Sequence, residues 1–298
     1  MRVLITGVSG MLGATLATML AKEHEVFGTG NSNYDEQPKN YKVLDLNSEN
    51  YQDIITWSKP EIIVLSGALT NGNYCNNNPD EAFSINGISV KKFAEATNKN
   101  VKFIYISTDA VFPSALHLAK ETDCVFPENV YGKSKELGEF FTKLSDREFC
   151  IIRTTIVGLN LNSKKAGFVE WIINASKKAE EISLFDDVVF NPISIWELGE
   201  EIKHIISLKD FPNEIVHISG TEIVTKYEFG MELLKRLNLD TTTIKSGLIS
   251  SFKDRAKRCN DQTLNCNYYQ EKYKRKLPKL ADTLQTINQY YEADKIRK

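Results

Sequence analysis

An apolar run, Val3-Leu4-Ile5-Thr6, leads directly into Gly7-Val8-Ser9-Gly10-Met11-Leu12-Gly13 and then into Ala14-Thr15-Leu16-Ala17-Thr18-Met19-Leu20, whose apolar positions have helical spacing. Strand, glycine turn and helix in immediate succession admit few folds. Gly7 permits the sharp strand-to-helix turn, Gly10 lets the backbone approach a bound group, and Gly13 lets the helix lie close on the strand. The helix start then offers the N–H groups of Ser9, Met11 and Leu12 and the positive end of its dipole, which suits a pyrophosphate. The spacing is Gly-x-x-Gly-x-x-Gly, not the commoner Gly-x-Gly-x-x-Gly, so by itself the loop also fits a structural turn in another α/β protein.

The strand-and-helix plan recurs along the chain. Ile62-Ile63-Val64-Leu65, Phe103-Ile104-Tyr105-Ile106 and Ile151-Ile152 are short β-branched or aromatic runs without alternation, the pattern of strands buried on both faces. Between them, Met11 to Lys22, Asn50 to Trp57, Pro79 to Thr97 and Tyr131 to Leu144 have helical spacing. This predicts α/β architecture: a doubly wound parallel sheet (Rossmann), because parallel strands need helical crossovers. Residues 1–154 form that domain. From 155 to 298 the alternation loosens into helical patterns at Phe168–Lys178, Ile195–Ser207 and Thr225–Leu237 and one strand-like run, Ile215-Val216-His217-Ile218. The expectation is a smaller C-terminal substrate lobe, interleaved with the first domain through segments near 190–220, with a cleft between them.

Several classes are excluded on simpler grounds. With 37 basic and 39 acidic side chains the net charge is −2, which disfavours nucleic-acid binding. No apolar run approaches the roughly 18 residues a membrane span needs. The five cysteines, Cys75, Cys124, Cys150, Cys259 and Cys266, form no Cys-x-x-Cys pair, and His24, His117, His204 and His217 have no metal spacing. A cytoplasmic protein with no metal is expected.

The second strand, Glu25-Val26-Phe27-Gly28-Thr29, ends at Gly30-Asn31-Ser32-Asn33. An acidic side chain at that tip would accept from an adenine-ribose 2′-hydroxyl and mark NAD. Neither Asp nor Glu occupies it, and Asp35 comes late. Asn31 and Ser32 can donate to a 2′-phosphate instead, so NADP(H) is favoured and NAD(H) also admitted, although no Arg is present.

Ser107-Thr108-Asp109 follows the Phe103–Ile106 strand, at the carboxyl edge where open α/β sheets bind ligands. Farther on, Asn129-Val130-Tyr131-Gly132-Lys133-Ser134-Lys135 opens a helix. Tyr131 and Lys135, four apart, share its face. A neighbouring ammonium favours phenolate, so Lys135 is expected to lower the Tyr131 pKa from about 10 toward the range of a working acid–base group.

These residues resemble the extended short-chain dehydrogenase/reductase family and, within it, the dTDP-4-dehydrorhamnose reductases. The likeness rests on Gly7 to Gly13, Asp45-Leu46, Ser107-Thr108-Asp109-Ala110-Val111-Phe112, Asn129 to Glu139, Arg153-Thr154 and Asn191-Pro192-Ile193-Ser194, over most of the chain. The resemblance implies that Thr108, Tyr131 and Lys135 are catalytic. It also implies that Asp45 and Leu46 touch the adenine, that Ser66-Gly67-Ala68 flanks the cofactor, and that Thr108, Asp109 and Arg153 meet the substrate. Arg255 or Arg258, in a loop similar to the family's arginine-containing loop, would clamp a diphosphate. The implied activity is NAD(P)H-dependent reduction of a nucleotide-linked 4-keto-6-deoxy sugar in polysaccharide (dTDP-rhamnose) biosynthesis. A homodimer is the assembly considered.

Departures from the family pattern point to a remodelled sugar pocket. Ala110 and Ile156 stand where the family has Tyr and Trp, and Asn71-Gly72-Asn73-Tyr74-Cys75-Asn76 replaces an acidic stretch. Two alternatives stay open at this point: an epimerase or dehydratase of the same family, and a non-catalytic cofactor-binding regulatory subunit.

Overall fold

The computed structural model describes residues 1–34, 37–162, 164–251 and 256–297. Its strands and helices alternate: β1 (Arg2–Thr6), α1 (Met11–Leu20), β2 (Glu25–Gly30), β3 (Asn40–Val43), α2 (Tyr51–Ser58), β4 (Ile62–Leu65), α3 (Gly72–Asn77), α4 (Pro79–Phe83), α5 (Ser89–Ala96), β5 (Lys102–Ile106), α6 (Val130–Leu144) and β6 (Phe149–Arg153). Among the described residues seven strands form one sheet in the order β3-β2-β1-β4-β5-β6 and then Glu214–His217. Neighbours in it pair in parallel, with Val3 opposite both Val26 and Ile62. The chain therefore steps one way from β1 to β2 and β3, then crosses back to β4 on the other side of β1. At that switch point the turns after β1 and β4 part and leave a crevice at the strands' carboxyl ends.

Why the apolar runs lacked alternation is now visible. Val3 and Ile5 face one core, with α1 and the helix Ile195–Ser207; Leu4 faces the other, with Tyr51, Ile54, Val90 and Phe93. Successive side chains point to opposite sides, and both sides are covered. The first core continues without a break into the carboxyl half of the chain, through Ile172, Leu184, Phe190 and Phe229. The last sheet strand comes from the carboxyl half, Glu214–His217 against β6, so the two halves interleave.

Two local differences from the sequence-based reading have physical causes. The pattern from Pro79 to Thr97 is one helical stretch interrupted by a π-turn, Ser84–Ile88. It carries Asn86, whose buried amide exchanges hydrogen bonds with the Leu69 backbone at 2.7 and 2.9 Å and donates to Ser134 Oγ at 2.8 Å. The wider turn thus ties the loop after β4 to α6. In the second lobe, the strands Ile156–Val157, Val189–Phe190, Ile193–Ser194, Val224–Thr225 and Asp261–Gln262 are two residues each, too short to imprint a period on the sequence.

Candidate functional site

The glycine loop is built as its sequence requires. Gly7 has φ +71°, and a Cβ there would lie 2.5 Å from Gly67 Cα, so the loops after β1 and β4 touch at a point where side chains do not fit. Thr6 secures the same junction: its Oγ1 accepts from Gly67 N–H at 2.9 Å, and its carbonyl accepts from Ser66 Oγ at 2.6 Å. Gly13 sits against the Gly7 carbonyl, and α1 begins at Gly10 with no acidic residue in its first turn.

A cleft of about 890 Å³ runs over this junction. At one end it is lined by Gly7, Ser9 to Gly13, Asn31, Asp45, Leu46 and Ser66-Gly67-Ala68; at the other by Thr108, Asp109, Tyr131, Lys135, Thr154, Ile156, Phe190, Lys226 and Gln262. The first end fits a dinucleotide. It has a helix N-terminus without a competing carboxylate, crowded glycines where a phosphate must approach, and apolar Leu46 beside the Asp45 carboxylate. At the other end the Thr154 hydroxyl is buried and lacks a protein partner. Ser32 does not line the cleft; its hydroxyl donates to Asn31 Oδ1 at 3.5 Å.

At the other end Thr108 Oγ1 donates to Asp109 Oδ1 at 2.9 Å and accepts from Ala110 N–H at 3.2 Å. Asn129 caps α6, accepting from Gly132 N–H at 2.8 Å, which sets the helix start and so the positions of Tyr131 and Lys135. Burial, then the Asp109 carboxylate, push the Tyr131 phenol above its ordinary pKa, while a hydrogen bond with Thr108 pulls it down. The expectation that Lys135 lowers Tyr131 is not met. Lys135 Nζ lies 4.1 Å from the Tyr105 ring centroid, and burial brings its ammonium down to about 7.

Arg153 does not line the cleft: its guanidinium is buried, donating to Glu139 at 2.9 and 2.7 Å. Glu139 also accepts from Ser107 Oγ at 2.6 Å, so the pair is a brace joining β5, α6 and β6. Arg258 lies in an exposed loop beside a separate small cavity with Ser114 and Asn260. Arg255 lies outside the described residues, as does Asp35. Asn71 to Asn76 do not line the cleft: Asn71 caps α3, and Asn73 and Asn76 accept from the backbones of Ala256 and Val130. Glu201 is buried and held by Arg275 and Tyr269.

Sequence reasoning missed Phe190, Lys226 and Gln262. Each comes from or directly follows one strand of a single three-stranded ribbon, Val224–Thr225, Val189–Phe190 and Asp261–Gln262. Lys226 Nζ lies 3.2 Å from the Phe190 ring centroid and 5.5 Å from that of Phe168. Burial lowers its pKa to about 7, and the Asp109 carboxylate acts in the opposite sense. No spacing in the sequence joins Lys226 to Asp109. Among the described residues no three His, Cys, Asp or Glu are grouped to hold a metal, and no helix is long and apolar enough to cross a membrane.

Residues 1–292 match the family model described as RmlD substrate binding domain. The chain is 28% identical over 246 residues to the spore coat polysaccharide biosynthesis protein SpsK of Bacillus subtilis, covering 82% of each. It is 26% identical over 295 residues to the dTDP-4-dehydrorhamnose reductase of Escherichia coli K12, covering 93% of this chain and 94% of that one. The crystal structure of dTDP-4-dehydrorhamnose reductase from Bacillus anthracis in complex with NADP superposes with a TM-score of 0.85 at 26% identity, over 96% of this chain and 98% of that one.

Proposed function

The chain belongs to the RmlD substrate binding domain family, and from that premise we propose that it reduces the keto group of a nucleotide-linked 4-keto-6-deoxy sugar with NADPH. The observation that carries this reading is the convergence of Thr108, Tyr131 and Lys135 on the cleft that the glycine loop opens. The loop Gly7–Gly13 would hold NADPH, which would supply the hydride. Tyr131 gives its proton to the carbonyl oxygen; a phenol pushed above its usual pKa stays protonated at neutral pH, as a donor must. Thr108 hydrogen-bonds the same oxygen, and Lys135 holds the nicotinamide ribose. Asp109, Lys226, Phe190 and Gln262 bound the sugar, and residues from 155 onward serve mainly as the substrate lobe.

Relatives named for dTDP-linked sugar reduction and for spore coat polysaccharide biosynthesis support the nucleotide-sugar class and a role in polysaccharide synthesis. The five free thiols suit a reducing cytoplasm. The test is NADPH oxidation against a dTDP-linked 4-keto-6-deoxy sugar. Tyr131→Phe should lower turnover roughly 10²- to 10⁴-fold with NADPH affinity near normal. Undiminished turnover in that variant overturns the mechanism.

A further inference from the structure

We infer that Lys165, carried by the second lobe, is the cation that reads the 2′-phosphate of NADP. The inference rests on the proposal that the cleft takes a dinucleotide. In a doubly wound sheet the residue after the second strand lies at the adenine ribose. Here that residue is Asn31, directly after β2, and it lines the cleft together with Ser9 and Lys165. Lys165 Nζ donates to Ser9 Oγ at 3.3 Å, and the Ser9 hydroxyl donates to Asn31 Oδ1 at 3.5 Å. An ammonium from a residue 156 positions from Ser9 thus stands by the tip of β2, where the local sequence offers no arginine.

The chain holds this segment in place. Glu170 accepts from Gly167 N–H at 2.8 Å and from Asn160 Nδ2 at 2.9 Å, closing the loop at the start of the helix Phe168–Lys177. Within it, Lys165 N–H donates to the Asn162 carbonyl at 3.0 Å. Partial burial lowers the Lys165 pKa, a cost that a doubly charged phosphate placed beside it would reverse. A 2′-hydroxyl has no charge with which to offset the desolvation of the ammonium. The pyrophosphate of a dinucleotide would have its own partners in the backbone N–H groups at the start of α1 and the α1 dipole, with no acidic side chain in that first turn.

The experiment is a fluorescence titration of the purified full-length protein with NADPH and, separately, NADH, for the wild type, Lys165→Met and Lys165→Arg. The wild type should prefer NADPH. Lys165→Met should weaken NADPH roughly 10- to 100-fold, with NADH changed less than about threefold, and flatten the salt dependence of NADPH binding. Lys165→Arg should keep the preference, and unliganded melting of all three proteins should coincide. Equal weakening of both dinucleotides would assign Lys165 to the pyrophosphate and overturn the inference, as would no change, or a wild type that prefers NADH. Failure of either dinucleotide to bind the wild type would overturn the dinucleotide reading itself.

Discussion

The two ends of the cleft are made differently. At the cofactor end, Gly7 to Gly13, Asn31, Asp45, Leu46 and Ser66 to Ala68 all come from loops that follow β1, β2, β3 and β4, each a few residues past the strand that aims it. At the sugar end, Thr108 follows β5, but Lys226, Phe190 and Gln262 arrive from a ribbon of two-residue strands that hydrogen-bonds to itself, outside the main sheet. A site placed by strand ends inherits the rigidity of a sheet covered on both faces. A site placed by side chains on short ribbons can change its chemistry without disturbing the fold.

The largest effect should come from beneath both ends. Replacing Arg153 with Leu leaves Glu139 buried without its partner and should cost about 3–5 kcal/mol in urea unfolding, with KM for the sugar unchanged in the folded fraction. A raised KM at full stability would return Arg153 to the substrate. Next, Gly7→Ala forces a Cβ against Gly67 at positive φ and should cost roughly 2–3 kcal/mol, together with NADPH binding read by titration. Tolerance of alanine there would mean that the loop junction is looser than its contacts imply. At the sugar end, Lys226→Met should raise KM for the nucleotide sugar about tenfold, some 1.4 kcal/mol, with little change in NADPH affinity. An equal loss at both ends would erase the contrast.

The smallest effect is a pH slope. Burial lowers Lys135 and Lys226 to about 7, so from about pH 7 upward the unfolded chain binds more protons than the folded one, and stability rises with pH. The rise should be limited near pH 8.5, because burial pushes the Cys150, Cys259 and Cys266 thiols up and there the folded chain keeps protons that the unfolded one begins to release. Urea unfolding at pH 7.0 and 8.5 measures it, and Lys135→Met should flatten the difference. A slope of the opposite sign would show that the two lysines keep their charge in the folded protein.

Much of this molecule was legible in one dimension. Unalternating apolar runs separated by helical stretches announce a parallel sheet, because a strand buried on both faces has no polar side to show. The glycine spacing marks the first turn, and the four-residue step from Tyr131 to Lys135 places both on one helix face. These are local facts of backbone sterics and periodicity, so local sequence carries them. The sequence was silent wherever two distant segments meet: the Arg153–Glu139 brace, Lys226 facing Asp109, and Lys165 reaching Ser9. Whether an arginine clamps a substrate or a neighbouring glutamate depends on which charge folding brings within 3 Å of it, and that distance exists only in the packed chain. The tertiary structure also set the protonation of the site, since the burial that lowers Lys135 and lifts Tyr131 belongs to the assembled core rather than to either residue.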